Sequence, residues 1–282
     1  MRIGMVGVGL MGHGMALNLL KSGHDVHVIA HRNRAPIEDL LTRGAREAGS
    51  LDEIAQNSDY IVLCLSSSQV VEQTISALKQ NLRAGQMIID AGTSEPESTR
   101  RIAGELALLR VGYADAPMTG GPEQAAKAEL GVLCGASPEA YNRILPLLSC
   151  YATAIRHMGP VGSGHAAKLI SNFLVTGMIA LVTQAFGAAR KADIDWRNLY
   201  EVMLNGSGNS GVLRKMVAPA LDGDFEGYKF ALANAAKDIT YFKALATGLG
   251  LETSLAAAVE AVFQDAMAKG HGPKNVSHLL VL

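Results

Sequence analysis

The chain has 282 residues, a formal net charge of −1, and a composition 49% hydrophobic and 18% charged. That length and balance describe an ordinary globular protein, more readily of two domains than one. The charges are interspersed without a long basic run, which argues against nucleic acid as a partner, and the three separated cysteines, Cys64, Cys134 and Cys150, form neither a C-x-x-C spacing nor a disulfide framework and fit a reducing, cytoplasmic compartment.

Along the chain, short apolar runs alternate with helical patterns. Arg2–Val6 reads as a buried strand, Met11–Ser22 as a helix and Asp25–Ala30 as a second strand. Helices are expected around Pro36–Arg43 and Leu51–Gln56, a strand at Tyr60–Leu65 and a helix at Val70–Asn81. Gln86–Asp90 and Val111–Asp115 read as strands on either side of a helix at Glu95–Leu109. This rhythm means βαβ units and a mainly parallel sheet. A Gly/Pro-rich loop, Thr119–Pro122, then precedes a strand or hairpin at Leu130–Cys134, a helix at Pro138–Leu148 and a strand at Ala152–His157. Gly159–Gly164 reads as a linker. Beyond it come only helices, about 164–192, 195–205, 210–220, 231–249 and 252–269. The expected organisation is an α/β Rossmann-type domain over residues 1–160 and an all-α domain over 161–282.

The segment Leu169–Ala189 carries no charge and is long enough to span a bilayer. Its Ser171, Asn172, Thr176, Thr183 and Gln184 favour a helix buried between domains or subunits, so no membrane is expected.

Gly7-Val8-Gly9-Leu10-Met11-Gly12 follows the first strand and opens the first helix. In this G-x-G-x-x-G the first Gly makes the tight turn, the second admits a pyrophosphate to the backbone, and the third lets helix pack on sheet. The helix start offers unpaired N–H groups and a positive dipole end. The motif and its context therefore predict a dinucleotide site. An NAD-preferring site places Asp or Glu after the second strand, about 20 residues on. Here Ala30-His31-Arg32-Asn33-Arg34 has no acid before Glu38. A guanidinium pairs with a 2′-phosphate, so NADP is the expected cofactor, with Arg32 and Asn33 as contacts and NAD as the lesser alternative.

Four separated motifs resemble the β-hydroxyacid dehydrogenase family, the group of 3-hydroxyisobutyrate dehydrogenase, tartronate semialdehyde reductase and glyoxylate/succinic semialdehyde reductases, related to 6-phosphogluconate dehydrogenase. They are the glycine turn continuing into Met15-Ala16-Leu17-Asn18-Leu19; Asp115-Ala116-Pro117-Met118-Thr119-Gly120-Gly121; Gly162-Ser163-Gly164 through Lys168 to Ser171-Asn172; and Lys237-Asp238. The resemblance implies that Thr119, Gly120 and Gly121 bind a substrate carboxylate, that Lys168 is the catalytic lysine, and that Lys237 reaches towards the cofactor. It also implies that Leu65, Ser66 and Thr93 line the nicotinamide end. Thr119 replaces the family's usual Ser, Ser171 the first Asn of a pair, and Gly92 a common Ser.

Lys168 and Asn172 lie four apart on a helix and so share a face. Partial burial near a helix N-terminus disfavours the ammonium form of Lys168, as a general acid/base requires. The expected reaction is hydride exchange between NAD(P) and a short β-hydroxy acid or its semialdehyde, with Asn172 orienting the substrate. The alternatives are an imine reductase-like enzyme, against which Lys168 counts because those carry Asp or Tyr there, and a non-catalytic dinucleotide-binding module. The histidines show no metal-ligand spacing, and His165, three before Lys168, is expected to cap or to face solvent, with a place beside the active site as the alternative. The apolar helix after residue 164 and the apolar end Val276–Leu282 are more than a monomer readily covers, and the resemblance implies a homodimer or homotetramer assembled through the helical domain.

Overall fold

Apolar residues at alternate strand positions face opposite sides of a sheet, and here both sides are covered. The structure, a computed structural model, describes residues 1–31 and 33–282. In chain order the first elements are β1 (Arg2–Val6), α1 (Leu10–Lys21), β2 (Asp25–Ile29), α2 (Ala35–Thr42), β3 (Arg46–Ala48), α3 (Leu51–Asn57), β4 (Tyr60–Leu63) and α4 (Ser68–Leu78). They continue with β5 (Met87–Asp90), α5 (Pro96–Ala107), β6 (Gly112–Asp115), β7 (Met118–Thr119), α6 (Pro122–Lys127), β8 (Leu130–Gly135), α7 (Pro138–Leu148) and β9 (Ala152–Gly159). The helical part is α8 (Ser163–Lys191), α9 (Trp196–Asn205), α10 (Gly211–Ala220), α11 (Leu232–Gly248), α12 (Ser254–Ala268) and a closing 3-10 turn, Val276–Leu280.

The strands form one sheet in the order β3-β2-β1-β4-β5-β6-β8-β7, with β9 on β8. Pairings from β3 through β6 are parallel, and β8 runs antiparallel to β6 and β7. Met5, Val28, Val62 and Ile89 pack with Met15 and Leu19 of α1 and Ile144 and Leu147 of α7. Ile61, Leu63 and Ile88 project to the other side, against Ile54 of α3, Val71 and Ile75 of α4 and Ile102 of α5. Each such fully buried side chain contributes about 1.5–3 kcal/mol relative to exposure.

Sequence patterning misses three short elements. β3 has three residues, two of them exposed, so no alternation can show. β7 has two residues and forms a hairpin with β8, Thr119 opposite Gly131. α6 has six residues and hides behind Gly120-Gly121-Pro122, which reads as loop; Ala128 ends it in the left-handed region, at φ 60°.

The described residues divide into two compact units, Met1–Lys168 and Leu169–Leu282. The first turn of α8 belongs with the sheet because the Asp115 carboxylate of β6 accepts the N–H groups of Gly162 and His165, each at 2.7 Å. In the second unit, Ile179 and Phe186 of α8 pack with Leu213 and Met216 of α10, Ile239 of α11 and Phe263 of α12. Trp196 meets Phe186 edge-on at 5.3 Å. The apolar C-terminal stretch, expected to need a partner subunit for cover, finds part of it within the chain. Val276 and Leu280 enter this core, held by a bridge between Ala231 and Asn275.

Candidate active site

β1 ends at Val6 and α1 begins at Leu10, so the chain reverses within three residues. Gly7 makes the turn at φ +99°, where a Cβ would collide with the backbone carbonyl of Cys64. A Cβ on Gly12 would strike the Gly7 carbonyl oxygen. Gly9 differs: its backbone is in the extended region and a Cβ there would meet nothing within 4 Å. It leaves open the approach that a pyrophosphate needs. No side chain caps α1 and no acid lies in its first turn, so its N–H groups and dipole are available to an anion. Leu10 is exposed and Met11 half-buried at the rim. These residues fit a dinucleotide.

The ends of neighbouring strands continue this edge. A Cβ on Gly7 would also approach the Leu65 side chain at 3.2 Å, and one on Gly92 would approach the Leu65 carbonyl oxygen at 2.9 Å. Gly92, where Ser is usual, is thus required by close backbone packing. Leu65 and Thr93 are half-buried and Ser66 is exposed.

Of the residues expected to read the ribose, Arg32 lies outside the described residues. The Asn33 side-chain oxygen accepts the Ala35 N–H at 3.1 Å, leading into α2. Arg34 donates in bidentate fashion to Glu47 of β3, at 3.0 Å twice. A 2′-phosphate would compete with Glu47 for it.

At the turn expected to bind substrate, a Cβ on Gly131 would collide with Thr119 Oγ1, so the hairpin seats this side chain over a glycine. Gly120 follows at φ +112°. The Gly121 N–H, expected to bind a carboxylate, donates instead to Gln124 Oε1 at 2.9 Å. α6 is tied to α1 by buried Asn18, whose amide donates to the carbonyls of Gly14 and Ala125 at 2.8 Å each. Asn18 lies within the fingerprint but had no role assigned from sequence.

Lys168, half-buried, stands one turn beyond the Asp115 cap. Gly164 is needed there, since a Cβ would come within 2.9 Å of both the Asp115 main-chain oxygen and its Oδ2. Burial pushes the Asp115 carboxyl above the usual range; a charge on His165 and the two N–H donors pull the other way without cancelling it. His165, expected to cap or to face solvent, is fully buried.

In the second unit Asn172 is buried and donates through Nδ2 to Asp238 Oδ2 at 2.6 Å. Lys237 Nζ stands 3.0 Å from Asp238 Oδ1, close enough for an ion pair but off the hydrogen-bonding direction. The same ammonium lies over the Tyr241 ring, 5.2 Å from its centroid. Asp238 therefore orients two of the residues singled out in the sequence. It was quoted there only as a motif letter, and a carboxylate 66 residues away from its partner has no local signal.

Known proteins resemble the chain throughout. Residues 2–159 match the NAD binding domain of 6-phosphogluconate dehydrogenase, and residues 162–282 the NAD-binding domain of NADP-dependent 3-hydroxyisobutyrate dehydrogenase. The 2-(hydroxymethyl)glutarate dehydrogenase of Eubacterium barkeri is 29% identical over 99% of this chain and 93% of its own length. The 3-hydroxyisobutyrate dehydrogenase of Pseudomonas aeruginosa is 30% identical over 93% of this chain and 90% of its own. Among solved structures, a 3-hydroxyisobutyrate dehydrogenase from Salmonella typhimurium superposes with a TM-score of 0.87 at 27% identity, covering 99% of this chain and 98% of that one.

Proposed function

Because the chain belongs to the β-hydroxyacid dehydrogenase family, we propose that it is an NAD(P)-dependent oxidoreductase of a short β-hydroxy acid or its semialdehyde, with Lys168 as general acid/base. The observation that carries the reading is α8 itself, where Lys168 and Asn172 lie one turn apart and Asp238 fixes the Asn172 amide. When bound, the nicotinamide accepts or donates the hydride. Thr119 Oγ1 and the Gly120 N–H hold the substrate carboxylate, joined by the Gly121 N–H once Gln124 releases it. With its amide held by Asp238, Asn172 orients the substrate. In oxidation the Lys168 amine takes the hydroxyl proton; in reduction its ammonium returns a proton to the carbonyl oxygen.

NADP preference is supported by the missing acid after β2 and by the basic run around Arg32 and Asn33, with Lys237 contacting the cofactor as the resemblance implies. A homodimer or homotetramer through the helical unit is supported by the outer face of α8. Ile170, Leu174 and Leu181 are 55–68% exposed there, beside a groove of about 590 Å³ shared with Leu255 and Val262 of α12. α8 is long and apolar enough to cross a bilayer. The subunit reading is favoured because the helix also buries Asn172 against the Asp238 carboxylate, a polar contact that would be costly in lipid. A reducing, cytoplasmic location rests on three cysteines that are all unpaired thiols.

The test is turnover against a panel of hydroxy acids, semialdehydes and imines with both dinucleotides. A hydroxy acid or semialdehyde should be the best substrate, with higher kcat/KM for NADP. Lys168→Ala should lose about 10²–10⁴-fold in kcat and leave the dinucleotide Kd unchanged. Residual turnover within about tenfold, roughly 1.4 kcal/mol, would remove Lys168 from its role.

A further inference from the structure

Asp90 and Asp115 end neighbouring parallel strands and stand directly opposite each other in register. Both are fully buried, and so is His165. Each carboxylate organises a different segment. Asp90 accepts the Gly92 N–H and the Ser94 hydroxyl, at 2.9 Å each, and the Tyr113 hydroxyl at 3.3 Å. It thereby shapes the segment that carries Thr93. Asp115 accepts the Gly162 and His165 N–H groups and fixes the first turn of α8.

The His165 ring sits between them. Its Nε2 is 3.7 Å from Asp90 Oδ2 and its Nδ1 is 3.9 Å from Asp115 Oδ2. Nδ1 also lies 2.8 Å from Thr99 Oγ1, and the Thr99 hydroxyl donates to the Glu95 carbonyl at 3.0 Å. That leaves the Thr99 oxygen as acceptor and Nδ1–H as donor, an assignment made from the hydrogen-bond pattern. The imidazole therefore touches α5 through Thr99 and faces both carboxylates. It packs between Asp90 and Asp115, beyond hydrogen-bonding distance of either carboxylate, and is anchored by its hydrogen bond to Thr99.

Lys168 follows His165 by three residues and so lies on the same side of α8. We propose that His165 is a positioning residue: it locks the Thr93 segment to the first turn of α8 and so holds Lys168 in its working place. This rests on the reading of Lys168 as general acid/base. A displacement near 1 Å at a reacting group can cost about 10²-fold in rate, so a lock of this kind acts on kcat rather than on binding.

The experiment compares His165→Leu with His165→Asn, whose amide can still donate to Thr99. The leucine variant should lose about tenfold or more in kcat while KM and the dinucleotide Kd stay within about threefold, and the asparagine variant should recover most of the loss. In the protein without ligand, hydrogen exchange should rise together in residues 91–95 and 162–168 of the leucine variant. Thr99→Val removes the Nδ1–H acceptor without touching a buried charge. It should show the same paired rise in exchange, and it keeps the test decisive if the leucine variant does not fold. A folded leucine variant with unchanged kcat, a loss that asparagine does not recover, or exchange rising in only one segment overturns the proposal. If the unaltered protein turns over no hydroxy acid or semialdehyde, the functional reading fails instead. The exchange measurement, which needs no turnover, still decides whether His165 joins the two segments.

Discussion

Asp238 joins two of the candidate site residues through a single buried carboxylate. It accepts from Asn172 at 2.6 Å and pairs with Lys237 at 3.0 Å, with almost no exposure to water. Asp238→Asn keeps the volume but can set amide against amide and removes the carboxylate charge that faces Lys237. The expected outcome is a fall of about tenfold or more in kcat/KM, roughly 1.4 kcal/mol. A loss of about 1–3 kcal/mol in unfolding free energy should accompany it, measured by denaturant titration. Unchanged kinetics in a destabilised protein would make Asp238 a purely structural residue. That Lys168 and Asn172 share a helix was legible in the sequence, where they lie four residues apart; that they are the residues to single out came from the resemblance. The contacts of Asp115, Asp238 and His165 were not legible, because each reaches a partner tens of residues away. Gly121 marks the opposite limit. Its motif was legible, but the Gln124 side chain that takes its N–H could be seen only in three dimensions.

At the level of elements, periodicity was a good guide wherever an element was long enough to show a face. α7 was read over its observed span, and the parallel strands from β1 to β6 were found apart from β3. β7 and α6 escaped because two and six residues cannot display a period, and both flank the Gly120-Gly121 turn. The glycine turn allows a sharper test. Gly9→Ala adds a Cβ that meets no protein atom within 4 Å, on a backbone at φ −89° that alanine adopts without strain. The variant should therefore keep its Tm within about 2 °C and weaken dinucleotide binding by about tenfold or more, because the methyl occupies the pyrophosphate's approach. Gly12→Ala drives a Cβ into the Gly7 carbonyl, backbone against backbone, and should lose about 1–3 kcal/mol of stability as well. Calorimetry and titration of each variant with NADPH separate the two. Equal dinucleotide affinity for Gly9→Ala and the unaltered protein would mean that the pyrophosphate does not lie over Gly9.

For the whole molecule, what the sequence left open is what covers α8. The helix buries Ile179 and Phe186 in the second unit, yet presents Leu174 and Leu181 outward at 65% and 68% exposure, with Leu255 of α12 at 66% beside them. A contiguous apolar face of this kind marks an interaction site. A helix apolar all round needs cover on every side, and periodicity in a single chain does not say whether that cover comes from the same chain or from another copy. Thr183 adds a polar argument. Its hydroxyl is buried without a hydrogen-bond partner although the residue lines the groove, so a second subunit could satisfy it. Burying each leucine at an interface would contribute about 1.5–3 kcal/mol, so replacing two should dissociate the assembly. Leu174→Glu with Leu181→Glu is expected to convert the protein to monomers in size-exclusion chromatography with light scattering, in buffer without detergent. The unaltered chain should elute there as a dimer or tetramer that dissociates only on strong dilution. A monomeric unaltered chain at micromolar concentration, or an unchanged mass for the double variant, would show that this face is not where copies meet.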